Sequence, residues 1–139
     1  MQSIKWSKAH ATCVPEIDAD HRTIFELAQN LQQAIRARAP APQVHAILKD
    51  LMAHVEAHFE YEERLMRSVR YPLFPWHKRQ HDTMRKRAGE FVPRIQNGDE
   101  DAEDLWLDFL AGWLRDHTRL ADRMMGAYVR NQRLVRAVA

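Results

Sequence analysis

Four stretches of this chain repeat apolar residues every three to four positions, and each repeat is interrupted by histidine or a carboxylate where a core residue belongs. The first steps through Ile17, His21, Ile24, Ala28, Leu31 and Ile35, and the second through Val44, Leu48, Leu51, Val55, His58, Glu62 and Leu65. The third gives Phe74, His77, His81, Met84, Ala88 and Phe91, and the fourth Trp106, Leu110, Trp113, His117 and Leu120. A single core histidine is ordinary. A buried carboxylate without a partner costs several kcal/mol or shifts its pKa. Five imidazoles and an acid on four apolar seams need one joint explanation.

The stretches are separated by helix breakers. An N-terminal arm, about residues 1–17, carries Trp6 and Pro15. Helix A is expected from about Asp18, taken as its N-cap, to Arg38. Helix B runs from about Pro42 to Val69, after the Pro40-Ala41-Pro42 loop. Helix C runs from about Pro75 to Val92, where Pro93 should end or kink it. Asn97-Gly98 makes a turn, and helix D follows from about Asp101 to Arg130. The reading is all-α: an up-down-up-down antiparallel four-helix bundle, about 18–130, within one domain spanning 1–139.

The rest of the composition mainly excludes. The 139 residues carry a formal charge of +2, too little to suggest a nucleic-acid partner. No apolar run approaches the roughly 18 residues of a membrane span. Cys13 is the only cysteine, so neither an internal disulfide nor a cysteine-based zinc or Fe–S site can form. The first thirteen residues show no apolar leader, and a cytoplasmic location is the expectation.

Antiparallel packing brings the starts of helices A and C together with the ends of B and D. His21, His58, Glu62, His77, His81 and His117 then converge at one end of the bundle. His77 and His81, like His58 and Glu62, are spaced i, i+4 and share a helix face. Such a donor set is too large for one four-coordinate zinc and suits two first-row metals bridged by carboxylate; imidazole without thiolate admits Fe, Zn, Ni or Cu. Asp122 is the candidate second carboxylate. A regular helix turns it off the face of His117, whereas a one-residue π-bulge would bring both inward. Asp116 and Asp82 compete with it, although Asp82, beside His81, should point away.

Together these residues resemble the hemerythrins, in particular single-domain bacteriohemerythrins. The likeness runs over about residues 4–128 and is carried by Trp6, Ile17-Asp18-x-x-His21, His58-Phe59-x-x-Glu62-Glu63, Met66, Tyr71-Pro72, His77-x-x-x-His81, Trp113-Leu114-x-x-His117 and Asp122. The resemblance implies a non-haem di-iron centre, two iron ions with an oxo or hydroxo bridge, binding O₂ reversibly for carriage, storage or sensing. It implies that His77, His81 and His117 hold one iron and His21 and His58 the other, which takes O₂. Glu62 and Asp122 would bridge them. Ile24, Phe25, Phe59, Trp113, Leu114 and Thr118 would line a dry O₂ pocket. No residue is assigned a catalytic role, and a monomer or weak homo-oligomer is the expectation. The alternatives are a di-iron redox enzyme, acting on peroxide, nitric oxide or an oxidisable substrate, and an iron-handling module without O₂ chemistry. No Glu-x-x-His pair of the ferritin-like di-iron proteins occurs.

Thr118 departs from the family, which commonly has an aliphatic residue there. A hydroxyl at that place is expected to assist proton delivery and speed oxidation to the ferric form. His10 and His45 read as surface residues, and His54 as a rim residue or a hydrogen-bond partner of the cluster. The basic tail after Tyr128 reads as a frayed helix end.

Overall fold

In the computed structural model, which describes residues 3–139, helices account for nearly the whole chain and no strand is present among the described residues. Met1 and Gln2, the first residues of the expected arm, lie outside the described residues. A short 3₁₀ turn, Lys8–His10, precedes α1 (Pro15–Arg36), α2 (Ala41–Ser68), α3 (Phe74–Gln96) and α4 (Glu100–Asp116). A π-helical segment, His117–Asp122, joins α4 to α5 (Arg123–Val138) with helical backbone on both sides, so the fourth rod of the bundle is one continuous helix. α1 packs on α2, α2 on α3, α3 on α4 and α4 back on α1, which closes the four-helix ring. No described helix is long and apolar enough to cross a membrane.

The three connections end their helices alike. At Arg38, Arg70 and Gly98 the backbone turns left-handed, and the next residue's N–H bonds back to Ala34, Met66 and Arg94 respectively. This is the Schellman pattern. Only the third has the glycine that signals it in a sequence. Asp99 then caps α4 by accepting from the Ala102 N–H, and Glu100, Asp101 and Glu103 favour the positive end of its dipole.

Four expectations are corrected. Val14, not Asp18, occupies the N-cap of α1, with Pro15 at the first helical position. Asp18 instead lies inside the helix and accepts from the Thr12 N–H and hydroxyl, both at 2.8 Å, and from the Cys13 N–H. Pro93 does not end α3, which continues to Gln96; in the last turn, one missing N–H bond interrupts little ladder. Leu120 is not a seam residue but is exposed, because the π insertion rotates it outward and turns Ala121 and Asp122 in. The tail is not frayed: α5 stays helical to Val138, and Arg133 grips Glu16 of α1 with two 3.0 Å bonds.

The core divides into two apolar clusters. The larger contains Ile24, Leu51, Val55, Met84, Trp106 and Leu110; the smaller contains Val14, Ile17, Met66, Tyr71, Met125 and Val129. Along every helix the polar seam residues fall between members of the two: His21 between Ile17 and Ile24, His58 and Glu62 between Val55 and Met66. The polar residues therefore form an interior layer with apolar packing above and below, rather than one end of the bundle.

Candidate metal centre

Seven buried side chains meet in that layer: His21, His58, Glu62, His77, His81, His117 and Asp122. Helical spacing supplies the first six. The π segment supplies the last: it inserts the extra residue that returns Asp122 to the face of His117, whose Nε2 lies 3.1 Å from Asp122 Oδ1.

The two carboxylates divide the imidazoles into two groups. Glu62 Oε1 lies 3.3 Å from His77 Nε2 and 3.1 Å from His81 Nε2, while its Oε2 lies 2.9 Å from His58 Nε2 and 3.6 Å from His21 Nε2. Asp122 repeats the division: Oδ1 is 3.1 Å from both His77 and His117, and Oδ2 is 3.1 Å from His21. Two donor clusters result, one of Glu62, His77, His81, His117 and Asp122, the other of His21, His58 and Glu62. Asp116 and Asp82, the competing acids, belong to neither cluster; Asp82 pairs with Lys78 and Arg85 at the surface.

Three imidazoles are aimed from behind. His58 Nδ1 lies 2.9 Å from Asp20, His81 Nδ1 2.8 Å from Glu63, and His117 Nδ1 2.7 Å from Gln80 Oε1. Each contact places a proton on Nδ1 and turns Nε2 inward, so that Nε2 is the nitrogen that offers a lone pair once a cation displaces any second proton. Glu63 is itself held by Arg85 at 2.9 Å. Phe59 stacks on His81, centroids 3.9 Å apart and 7° from parallel, and Trp113 stacks on His117 at 4.2 Å and 15°. These two aromatics thus fix imidazoles of the three-histidine group besides walling the site.

The electrostatics call for cations. Burial works against charge on His58, but Glu62, Asp20 and Asp122 outweigh it and raise the imidazole to about 10. His77 is raised to about 9 by Asp122 and Glu62 against its burial, and His21 is raised in the same way. His117 is lowered: burial, with His77 and His81 beside it, outweighs Asp122. Burial pushes Glu62 and Asp122 up, and the surrounding imidazoles bring both well below the carboxylate range. Two ionised acids thus sit in a dry layer with protons as their counter-ions. Glu62 Oε2 and Asp122 Oδ1 face the Nε2 atoms of His58 and His117 at 2.9 and 3.1 Å without hydrogen-bond geometry, so these buried atoms converge on a common point rather than on one another. Inward-facing Nε2 atoms around two ionised, buried carboxylates fit a bound cation in each cluster, which would take the place of the protons.

Of the expected pocket residues, Ile24, Phe25, Phe59, Leu114 and Thr118 are buried and Trp113 is half-buried. The Thr118 hydroxyl is not free: it donates to the Leu114 carbonyl at 2.6 Å. His10, expected at the surface, is buried, with Nδ1 2.6 Å from Thr118 Oγ1 and its ring against Phe25. The apolar Ile4 and Trp6 nearby were the one local hint that the arm is packed. His54 is exposed and bonds Asp50, so it is a rim residue, and Cys13 is exposed.

A family model described as "Hemerythrin HHE cation binding domain" matches residues 12–129. A protein named bacteriohemerythrin from Stenotrophomonas maltophilia (strain R551-3) is 32% identical over 123 residues, covering 88% of this chain and 79% of the relative. One of the same name from Pseudomonas aeruginosa (strain LESB58) is 30% identical over 122 residues, covering 88% and 78%. A third, from Clostridium acetobutylicum, is 26% identical over 122 residues, covering 85% of this chain and 95% of the relative.

Proposed function

The chain belongs to the hemerythrin family, and from that premise we propose that it holds two iron ions and binds O₂ reversibly as a carrier or store. His77, His81 and His117 would hold one iron and His21 and His58 the other, with Glu62 and Asp122 as donors common to both. The observation that carries this reading is the division of both carboxylates, each with one oxygen toward either imidazole group.

Bound there, an iron pair would supply the electrons for taking up O₂. The chain's own residues do the rest. Glu62 and Asp122 fix the spacing of the two positions, and the Asp20, Glu63 and Gln80 contacts hold His58, His81 and His117 in the ligating tautomer. Ile24, Phe25, Phe59 and Leu114 are buried and present no polar side-chain atom, so the surroundings of the donor layer give water and protons poor access.

The test is an anaerobic iron(II) titration of the purified chain, followed by O₂ and then vacuum, watched by visible absorption. Two irons per chain and a charge-transfer band that appears with O₂ and disappears under vacuum are expected. Uptake of two irons followed by direct conversion to the ferric state would overturn carriage in favour of a redox enzyme. Uptake of one would overturn the paired site.

A further inference from the structure

His10 is a buried titratable side chain that the metal reading leaves without a role. It arrives on the 3₁₀ turn of the arm and meets the fourth rod of the bundle across 108 residues of sequence. The Thr118 proton is committed to the Leu114 carbonyl, so in the 2.6 Å contact Thr118 Oγ1 accepts and His10 Nδ1–H donates. A relay results: imidazole to hydroxyl to the carbonyl of the helix turn in front of the π segment.

That segment needs support. π turns are rare and occur as single insertions. Without this one the regular helix would carry Asp122 off the face of His117. The arm is held for the purpose on the far side as well. Thr12 packs against Gly126 so closely that a Cβ there would lie 2.8 Å from Thr12 Cβ. Thr12 and Cys13 are tied to Asp18. The arm thus grips the fourth rod just after its insertion, at Gly126, and within it, at Thr118.

We propose that His10 is a positioning residue of the metal centre: its Nδ1–H holds the Thr118 hydroxyl on the Leu114 carbonyl and so keeps formed the π turn that directs His117 and Asp122 inward together. The inference rests on the proposed function only in taking His117 and Asp122 as metal donors.

The test uses the full chain and three variants, His10→Leu, His10→Asn and Thr118→Val, with two readouts. One is amide hydrogen exchange over residues 117–122 in metal-free protein, with α2 amides as the internal reference. The other is a cobalt(II) titration followed by visible absorption. His10→Leu and Thr118→Val should each speed exchange over 117–122 by about tenfold or more relative to α2 and weaken cobalt(II) uptake by a similar factor. Combining the two should add nothing further. His10→Asn, whose side-chain N–H stands near the place of Nδ1–H, should restore both readouts. Unchanged exchange in His10→Leu and Thr118→Val would overturn the proposal. So would a loss that His10→Asn fails to restore, since that outcome leaves only the packing of the ring on Phe25. Should His10→Leu not fold, the near-isosteric Thr118→Val and His10→Asn decide alone. A wild-type chain that takes up no cobalt(II) would refute the donor assignment, while hydrogen exchange would still decide the role of His10.

Discussion

Asp122 Oδ2 lies 3.1 Å from His21 Nε2, a contact by which the fourth rod of the bundle reaches the imidazole of the first. Glu62 makes the matching connection from α2. With Asp122 neutralised, Glu62 alone would span the two donor clusters. Asp122→Asn keeps the shape and removes the charge. It should lower metal uptake from two equivalents per chain toward one, measured by cobalt(II) or iron(II) titration. Retention of two equivalents at wild-type affinity would show that Asp122 does not bridge.

The protons that stand in for metal make the metal-free chain sensitive to alkali. His58 at about 10 and His77 at about 9 lie above the ordinary imidazole value of 6.5. A raised imidazole contributes stability that is complete below its unfolded pKa and is lost as pH rises through the folded value. Glu62 and Asp122 are depressed, so their contribution is present above the ordinary carboxylate range and is lost in acid. Metal-free protein should therefore melt lower at pH 10 than at pH 6.5, by on the order of 10 °C. Metal-loaded protein should not follow, because the cation replaces the protons. Equal melting temperatures of the metal-free chain at the two pH values would refute this account.

Glu63 and Asp20 both orient a histidine, but in different surroundings. The Glu63 side chain is 8% exposed and fixed by Arg85, whereas that of Asp20 is 47% exposed. Water can replace Asp20 at His58 and cannot readily replace Glu63 at His81. Glu63→Ala should weaken metal binding about 10- to 100-fold, and Asp20→Ala by clearly less. Metal titration of the two variants side by side checks the order, and a reversed order would count against aiming from behind as the source of affinity.

Much of this site could be read before the fold was known, and the reason is periodicity. His21, His58, Glu62, His77, His81 and His117 stand on the 3.6-residue seam, where the pattern of apolar neighbours marks a core position whatever the side chain. Asp122 escapes that logic, because a π insertion is a break in period and leaves no periodic trace; the family likeness, not spacing, singled it out. Leu120 leaves the seam for the same reason. His10 shows a different limit. Its burial comes from Thr118 and Phe25, which touch it only once the arm has folded onto the bundle. Asp18 matched an N-cap by residue type, but Pro15 starts the helix earlier, and its carboxylate serves Thr12 and Cys13 instead.

Gly126 lies where the arm crosses α5. An added Cβ would stand 2.8 Å from Thr12 Cβ and 3.0 Å from the Thr12 carbonyl oxygen, and a backbone atom cannot swing aside as a flexible side chain can. Gly126→Ala trades a gain in helix propensity of about 1 kcal/mol against overpacking of about 1–3 kcal/mol, so the net should be destabilising. Gly89, on α3, has nothing within 4 Å of its added Cβ, and Gly89→Ala should show the gain alone. Thermal unfolding of the two variants should move in opposite directions; a stabilising Gly126→Ala would mean that the arm is not held against α5.

Phe59 unites two roles that a paired substitution separates. Its ring lies on His81 and beside Trp113, and it belongs to the apolar wall of the site. Phe59→Ala should cost about 3–5 kcal/mol as a cavity, and Leu51→Ala, in the same cluster but away from the histidines, about 2–5 kcal/mol. Both variants should therefore melt lower by comparable amounts. Only Phe59→Ala opens the wall beside the metal donors and frees the His81 ring from its stack. The iron-loaded protein exposed to air should then pass to the ferric state several-fold faster in Phe59→Ala than in Leu51→Ala or wild type, followed by visible absorption. Equal rates in the two variants would show that the aromatic wall contributes packing and not protection.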